Sequence, residues 1–569
     1  MADAIAHRGP DDRGYFLDPE RGVALAHNRL SIIDLTPAGH QPLLNAEGDV
    51  ALTYNGELYN FLVLKDELQR AGHQFSSRSD SEVLLRSFLQ WGPACVERFC
   101  GMFAFAIWSA PPRKLLLARD PLGMKPLYYT QLPGGRGFVF ASEIKAFLSL
   151  PDFRARLSHN AVEQFLEFGY SFDDHATVFE GVNKLPPGHW MEVADGSIQS
   201  MKPYFALPRP LADGDRDPED REGDLYRTLS EVVAQHLISD VPVGLLLSGG
   251  LDSSITAALA ARHARITTIS MGFADSMLDE RPFARVVADH IGSEHREVTI
   301  HPQSISDNLE EIAWYFDDIF ADWGTVSTRL LYKQCREMGI KVVLVGEGAD
   351  ELFGGYPIFQ TAQQLRGPVM WRLFQLYRRY AGRRYGGQFR RFVRIMKKHL
   401  ADAEGDWFHA VRLFESRNQL PNNYVMKVDK ASMSVSVEAR APFLDRRVAA
   451  QACRMPAHQL IGAGGPKAVL RSMAERFALL PPSITRRPKA GASIAASWID
   501  ESDGFRTYAR HVILDREGWV DQLGLRGAMT DYFNGTRNGY AFPRAISIFS
   551  NLAWRLLLLN LWSRRYVRA

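Results

Sequence analysis

A glycine-rich turn follows the apolar run at 243–247 and reads Ser248-Gly249-Gly250-Leu251-Asp252-Ser253-Ser254. Its two glycines let the backbone approach a ligand closely, and amides at the start of a following helix would point at an anion, which the helix dipole favours. Because a carboxylate repels phosphate, Asp252 makes sense there if it holds a Mg²⁺ ion that bridges to the phosphate. The turn therefore predicts a phosphate site. A glycine turn with an Asp-Ser cap is the purely structural alternative.

The turn is not a Walker A loop, because the GxxxxGK[ST] pattern is missing. It resembles the SGGxDSS pyrophosphate loop of the ATP pyrophosphatase family, whose members split ATP between the α and β phosphates and adenylate a substrate. The resemblance implies that the ATP polyphosphate is held by Leu247, Ser248, Gly249, Gly250, Asp252, Ser253 and Ser254.

A second cluster, at 345–356, resembles the SGEGSDExFGGY stretch of asparagine synthetases. Val345 and Ala349 stand where that family commonly has serines, which leaves backbone contacts possible. The resemblance implies a role for each of four residues: Val345 and Gly346 near the adenosine, Glu347 near the reacting centre, and Asp350 as a second Mg²⁺ ligand beside Asp252.

Two later stretches match the same family. Residues 437–445 match its ExRxPFLD motif, and residues 465–471 match its KxxLR motif. Lys467 would then place a positive charge where negative charge develops during the reaction. Met271 falls where a family residue lies beside adenine, whereas residues 487–492 depart from the usual RxKxGF by lacking the aromatic residue.

Polar motifs in the first 130 residues resemble those of class II glutamine amidotransferase domains, which are N-terminal-nucleophile hydrolases. The motifs occupy 7–12, 29–34, 54–60, 79–82, 101–108, 119–120 and 125–129. Arg29 can fork onto the glutamine α-carboxylate, and Glu57 and Asp80 can receive its α-ammonium. Asn55 and Gly56 suit an oxyanion hole, although alone they would indicate a β-turn. The implied glutamine-binding residues are Arg29, Leu30, Ser31, Ile32, Ile33, Asn55, Gly56, Glu57 and Asp80.

The nucleophile of that domain, a cysteine at residue 1 of the processed chain, has no counterpart after Met1. The cysteines at 95, 100, 335 and 453 cannot replace it, because each is far from a free α-amine. Either the sequence belongs to a longer chain, which we favour because the glutamine-binding residues remain, or the protein uses free ammonia. The predicted catalytic residues are therefore Glu347 and Lys467.

Short apolar runs bounded by turn residues dominate the first 205 residues, whereas strand-like and helix-like runs alternate from residue 243. We expect an α+β N-terminal-nucleophile hydrolase-like layered sandwich at 1–205 and a linker at 206–222. An α/β doubly wound parallel-sheet ATP-pyrophosphatase domain with a helical C-terminal part is expected at 223–569.

The composition is that of a globular protein, with 569 residues and a net charge of +2. Few, scattered cysteines and the absence of a signal-like start predict a cytoplasmic setting. No apolar run reaches the ~18 residues of a membrane span. The expected partners are small molecules, namely ATP, aspartate, and glutamine or ammonia, with neither nucleic acid nor membrane. The oligomeric state stays open, with a homodimer among the alternatives.

The segment 361–400 has eleven Lys or Arg residues, no acidic residue and seven interleaved aromatics. This pattern is compatible with a surface that binds nucleic acid or an anionic membrane. It is also compatible with helices whose arginines extend along an aromatic core stripe. We favour the second interpretation because the overall charge is near neutral.

The resemblance as a whole implies an ATP- and Mg²⁺-dependent ligase that adenylates the side-chain carboxylate of aspartate and amidates it to asparagine. The alternative is a relative that amidates or cyclises another carboxylate in surface-polysaccharide or secondary-metabolite biosynthesis, with an inactive glutaminase half. A catalytically silent binding protein is disfavoured by the intact Asp252, Asp350, Glu347 and Lys467.

Overall fold

The computed structural model describes residues 1–135, 137–151, 153–211, 220–273, 279–381, 387–462, 464–487, 499, 502–516, 518–535 and 548–567. Residues 212–219 of the predicted linker and residues 488–492 of the motif at 487–492 lie outside these residues.

The amino-terminal part is built from antiparallel strands and a few helices. In chain order the strands are β1 (Asp12–Asp18), β2 (Val23–Arg29), β3 (Leu43–Leu44), β4 (Val50–Leu58), β5 (Gly101–Ser109), β6 (Lys114–Arg119), β7 (Tyr128–Gln131), β8 (Phe138–Ala141), β9 (Val182–Lys184), β10 (His189–Ala194) and β11 (Ser197–Pro203). The α-helices are α1 (Phe61–Arg70), α2 (Asp80–Trp91) and α3 (His159–Phe168).

The main sheet has the strand order β11-β10-β6-β5-β4-β3 among the described residues. Successive side chains of β5 point to opposite faces of this sheet. Phe103 and Phe105 enter a core that also contains residues of α1 and α2. Ala104 and Ala106 face the other way and pack with Tyr129 of the sheet β8-β7-β9. This arrangement of a helical layer and two sheets confirms the predicted layered sandwich.

The carboxyl-terminal part is centred on the parallel sheet β14-β13-β12-β15-β16. Its strands are β12 (Val243–Leu246), β13 (Thr267–Phe273), β14 (Glu294–Ile300), β15 (Val342–Leu344) and β16 (Glu438–Arg440), and a separate hairpin joins β17 (Ile461–Gly462) to β18 (Gly465–Pro466). All four ladders of the sheet are parallel, as predicted. The chain order reverses between β12 and β15, and such a reversal opens a ligand crevice at the carboxyl ends of the strands.

Helices cover this sheet and make up most of the described residues that follow it, as predicted. They are α4 (Arg221–His236), α5 (Leu251–Ala261), α6 (Arg281–Ile291), α7 (Pro302–Tyr315), α8 (Thr325–Glu337), α9 (Ala349–Phe353), α10 (Pro357–Gln364), α11 (Val369–Ala381), α12 (Phe389–Asp402), α13 (Trp407–Phe414), α14 (Val425–Met433), α15 (Arg446–Arg454), α16 (Ala457–Leu460), α17 (Ala468–Arg476), α18 (Pro482–Thr485), α19 (Asp503–Ile513), α20 (Trp519–Gln522), α21 (Arg526–Phe533) and α22 (Ile548–Tyr566). A π-helical turn, Glu415–Tyr424, precedes α14. Within the described part of the chain, no helix combines the length and apolar character that a bilayer crossing requires.

Buried polar contacts join the two parts. Arg440 Nη2 lies 2.8 Å from Glu57 Oε2, and both side chains are almost fully enclosed. Arg8 lies 2.9 Å from a carboxylate oxygen of Asp429, again between buried groups. Removing one member of such a pair leaves an uncompensated buried charge, so these contacts fix how the two parts meet.

The aromatic residues of 361–400 divide between core and surface. Tyr377 and Phe392 are buried, as the core interpretation requires, whereas Trp371 and Phe374 of α11 are exposed. The prediction of one aromatic core stripe is therefore wrong for the outer face of α11. Tyr385 lies outside the described residues.

Candidate active sites

The glycine-rich turn after β12 forms one wall of a cleft of about 720 Å³. Gly249 has a φ of +69°, and a Cβ there would lie 2.6 Å from the backbone nitrogen of Ala284, so the turn requires glycine. The hydroxyls of Ser248 and Ser253 lie 3.1 Å apart. A Cβ on Gly346 would lie 2.9 Å from the backbone nitrogen of Ser253, which shows how closely the loop after β15 approaches this turn.

The structure brings most of the predicted ATP and catalytic residues to this cleft. Those in its wall are Leu247, Ser248, Asp252, Ser253, Met271, Val345, Gly346, Glu347 and Asp350. Gly249 and Gly250 belong to the same turn but lie outside the wall, and Ser254 is fully buried behind it. The crevice lies where the strand order reverses, so topology and sequence motif point to the same place.

Lys467 is held between the two predicted metal ligands. Its Nζ lies 2.7 Å from Asp350 and also contacts Asp252. Burial alone would lower the pKa of Lys467, but the carboxylates of Asp252 and Asp350 outweigh burial and raise that pKa. Lys467 adopts a φ of +58° just before α17, a conformation that costs a side-chain-bearing residue of order 1 kcal/mol or more. The strained backbone thus aims a charged amine at both carboxylates.

Gly355 makes room for the triad formed by Asp252, Asp350 and Lys467. A Cβ at residue 355 would overlap both a carboxylate oxygen of Asp350 and the Cε of Lys467. The glycine therefore belongs to the site, and its position in the FGGY stretch was the only signal for it in the sequence.

The two carboxylates suit a divalent cation. Asp252 and Asp350 lie in the first turns of two helices, α5 and α9, and converge on one positive charge, the Lys467 ammonium. In the ranges that the structure describes, no cluster of three or more His, Cys, Asp or Glu side chains forms a closed metal cage. Two carboxylates without a cage fit Mg²⁺, which is commonly bound by one or two carboxylates together with substrate phosphates.

Glu347 faces a cation that sequence reasoning missed. Burial raises the pKa of Glu347, and the positive charge of Lys427 opposes part of this rise. Lys427 Nζ also lies 3.2 Å from Asp322. Burial would lower the pKa of Lys427, yet the charges of Asp322 and Glu347 raise it overall. Lys427, Asp322, Trp323 and Arg555 all lie in the cleft wall, and no motif in the sequence singled them out.

A second cavity, of about 850 Å³, collects the predicted glutamine-binding residues. Its wall contains Arg29, Leu30, Ile32, Ile33, Asn55, Gly56, Glu57 and Asp80. Ser31 lies outside the wall, and its backbone nitrogen donates to Asp11. Arg29 donates to the backbone carbonyls of residues 33, 34 and 36, so its guanidinium holds the loop that borders the cavity.

Asn55 and Gly56 lie inside β4 and not in a β-turn. A Cβ on Gly56 would overlap the carbonyl oxygen of Met102, which explains the glycine. Asn55 Nδ2 and Glu57 Oε1 are buried and lack a hydrogen-bond partner within the part of the chain that the structure describes. Leaving such a group unpaired costs about 1–3 kcal/mol. A buried donor and a buried acceptor in one cavity wall indicate a polar ligand.

Asp80 and Glu57 are two buried carboxyl groups that could bind a cationic group of a ligand. Asp80 accepts hydrogen bonds from the Tyr54 hydroxyl at 2.7 Å and the Leu58 amide at 2.9 Å. Burial nevertheless raises the pKa of Asp80 to about 6. Burial and then the charge of Asp80 raise the pKa of Glu57, while Arg440 opposes this. A cationic group entering between them would relieve the repulsion.

All four cysteines lie away from this cavity. Burial raises the pKa of the Cys95 thiol to about 12 and that of the Cys100 thiol to about 11. Thiols of this kind are poor nucleophiles at neutral pH.

The two sites together define a two-part enzyme, a glutamine amidotransferase domain joined to an ATP-dependent synthetase domain. Residues 1–205 match the family described as glutamine amidotransferase domain, and residues 224–564 match the family described as asparagine synthase. The chain belongs to the asparagine synthase family and is a carbon–nitrogen ligase of that family.

Curated relatives match along most of the chain. Asparagine synthetase [glutamine-hydrolyzing] 3 of Bacillus subtilis is 31% identical over 568 residues, which covers 92% of this chain and 89% of the relative. Asparagine synthetase [glutamine-hydrolyzing] 1 of the same organism is 32% identical and covers 86% and 82%. Asparagine synthetase B [glutamine-hydrolyzing] of Escherichia coli is 30% identical and covers 87% and 79%.

Proposed function

We propose that the protein adenylates the side-chain carboxylate of aspartate with ATP and amidates it with ammonia, giving asparagine, AMP and pyrophosphate. The observation that carries the proposal is the Lys467 ammonium held between Asp252 and Asp350 beside the turn after β12. The names of the relatives support aspartate as the substrate.

In the first half-reaction, a carboxylate oxygen of aspartate attacks the α-phosphorus of ATP, and the bond to pyrophosphate breaks. Negative charge grows on the departing pyrophosphate, and Lys467 with the amides at the start of α5 lies where it can stabilise that charge. Asp252 and Asp350 would hold a Mg²⁺ ion, which when bound neutralises phosphate charge.

In the second half-reaction, the lone pair of ammonia attacks the acyl carbon, and the bond to AMP breaks. The new carbon–nitrogen bond leaves an excess proton on nitrogen. Glu347 can take this proton, because burial raises the pKa of its carboxyl group toward the range that suits a general base. Lys427 lies close enough to keep the ionised form accessible.

Glutamine is the proposed nitrogen donor at the second cavity. Its α-ammonium would be received between Glu57 and Asp80, and its amide oxygen would accept from Asn55 Nδ2. Each contact would give a partner to a buried group, which supports this orientation.

Isotope transfer tests the adenylation step. Aspartate carrying ¹⁸O in its side-chain carboxylate should transfer one labelled oxygen to AMP when it is incubated with ATP, Mg²⁺ and ammonium. AMP, pyrophosphate and asparagine should form in equal amounts. Formation of ADP and phosphate would refute adenylation. AMP formed only with a different carboxylate would instead assign the protein to the amidating or cyclising relatives.

A further inference from the structure

The helices α11 and α12 carry a concentration of exposed positive charge. Among the described residues of 361–400, the exposed cations are Arg366, Arg378, Arg379, Arg390, Arg394, Lys397 and Lys398. None of the seven forms an ion pair with a residue that the structure describes, whereas Arg391 between them pairs with Asp173. Because the whole chain has a net charge of only +2, this positive charge is local and the remainder of the chain is net acidic.

Large apolar side chains are exposed beside these cations. Val369, Met370, Trp371 and Phe374 at the start of α11 are 51%, 47%, 53% and 38% exposed. The rings of Trp371 and Phe374 lie 5.9 Å apart, and the Arg378 guanidinium lies 5.8 Å from the Phe374 ring. A contiguous apolar patch bordered by charges on a surface marks an interaction site.

The exposed apolar residues of α11 are not residues that the hydrophobic core has failed to cover. The inner face of α11 is filled separately, with Leu373, Leu376 and Tyr377 buried against the protein. Trp371, Phe374 and Arg378 are spaced i, i+3, i+7, so they form a second stripe on the outer face of the same helix. Phe374 and Phe389 are in edge contact, with ring centroids 5.9 Å apart, and this links the stripe to α12.

We propose that α11 and α12 form a docking surface for an anionic membrane interface. Tryptophan, phenylalanine and aliphatic side chains would enter the boundary between headgroups and acyl chains, and the arginines and lysines would contact acidic headgroups. This chemistry uses both halves of the surface, the apolar patch and the seven unpaired cations. The inference is independent of the adenylation site and of the identity of its substrate.

Two other occupants fit less well. A second copy of this chain in a two-fold dimer would place the same basic patch against itself, and like charges would then repel. A nucleic acid would satisfy the cations and could stack on Trp371 and Phe374, but it offers no apolar partner for Val369 and Met370.

Vesicle sedimentation tests the apolar half. The full chain should bind vesicles of phosphatidylcholine with about one third phosphatidylserine and not vesicles of phosphatidylcholine alone. Trp371→Ala with Phe374→Ala should lower the bound fraction about tenfold or more. Leu62→Ala with Val63→Ala is the matched control, because those residues on α1 are 53% and 55% exposed, and it should bind like the unchanged protein.

A charge reversal tests the basic half. Arg390→Glu with Arg394→Glu should abolish binding to the acidic vesicles, whereas Arg265→Glu with Lys333→Glu, at exposed sites elsewhere, should retain it. AMP formation in solution should be unchanged in all four variants, which separates this proposal from the proposed reaction.

Three results would overturn the proposal. The first is equal binding to acidic vesicles by the Trp371→Ala, Phe374→Ala variant and its control. The second is binding of the full chain to RNA without binding to acidic vesicles. The third is a dimer of the full chain that dissociates when Trp371 and Phe374 are replaced.

Discussion

Replacing Lys467 by methionine should lower both the stability and the activity of the protein, and Mg²⁺ should restore the stability alone. The ammonium of Lys467 contacts both Asp252 and Asp350. The two carboxylates must then lie about 5 Å apart or less, since both are within hydrogen-bonding distance of one nitrogen. Without Lys467, two like charges at this separation repel by about 3 kcal/mol at an effective dielectric constant of about 20.

That repulsion should lower the free energy of unfolding of Lys467→Met by a few kcal/mol in the absence of divalent cations. Because the substitution also frees both carboxylates, Mg²⁺ should stabilise the variant more than the unchanged protein, in which the ion competes with Lys467. Calorimetric melting with and without Mg²⁺ measures both effects. Lys333→Met, at an exposed position, is the control and should show neither.

Activity should respond differently. Mg²⁺ should restore the stability of Lys467→Met but not its ATP–pyrophosphate exchange, which we expect to fall by about 10²–10³-fold because a preorganised charge at the leaving group is lost. If Mg²⁺ raised the melting temperature of the variant and the unchanged protein equally, the triad would not be the metal site. If exchange survived the substitution, Lys467 would not act on the leaving group.

Three further predictions follow from the same geometry. Asp252→Asn and Asp350→Asn should each lower ATP–pyrophosphate exchange by ~10³-fold or more with the fold retained by circular dichroism, since each removes a proposed Mg²⁺ ligand. Gly355→Ala should lose both exchange and stability, because its Cβ overlaps Asp350 and Lys467, whereas Gly464→Ala, with open space around it, should be tolerated. Burial raises the pKa of Asp80 from 3.8 to about 6, so the folded state holds this proton more tightly than the unfolded chain. The stability contributed by Asp80 is therefore present below about pH 4 and is lost as pH rises to about 6, and Asp80→Asn should flatten that part of the melting-temperature profile.

The apolar pattern of the sequence predicted the strands that are buried and made of apolar residues. The apolar run at 243–247, for example, appears as the strand β12. The strand β16 was missed because two of its three residues are Glu438 and Arg440, which are buried as an ion pair with each other, and Arg440 also pairs with Glu57. Pattern alone cannot separate such a strand from a polar loop, because Glu57, which helps to compensate the charge of Arg440, lies 383 residues away in the sequence.

Other omissions had a readable signal. The helix α2 begins at an N-cap, in which the Ser79 hydroxyl accepts from the Glu82 amide, and a serine before an apolar run is a start signal visible in the sequence. The turn at 248–254 and the loop at 345–350, which contain most residues of the proposed ATP site, could be recognised because each follows a buried strand. Lys427 could not be placed, because it lies two residues into α14, just after a π-helical turn whose geometry no spacing in the sequence indicates.

The contacts of Arg440 make the two domains poor candidates for exchange between related enzymes. Its guanidinium is fully buried and donates to Glu57, to Glu438 and to the carbonyls of residues 236 and 238, while its own carbonyl accepts from the amide of Val345. One residue thus spans the distance between the cavity at Glu57 and the loop after β15. A foreign amidotransferase domain would have to present a carboxylate at the position of Glu57, or the chimaera would carry a buried cation short of one counterion. Exchange of a domain therefore requires that buried charge pairs such as Arg440–Glu57 and Arg8–Asp429 be kept.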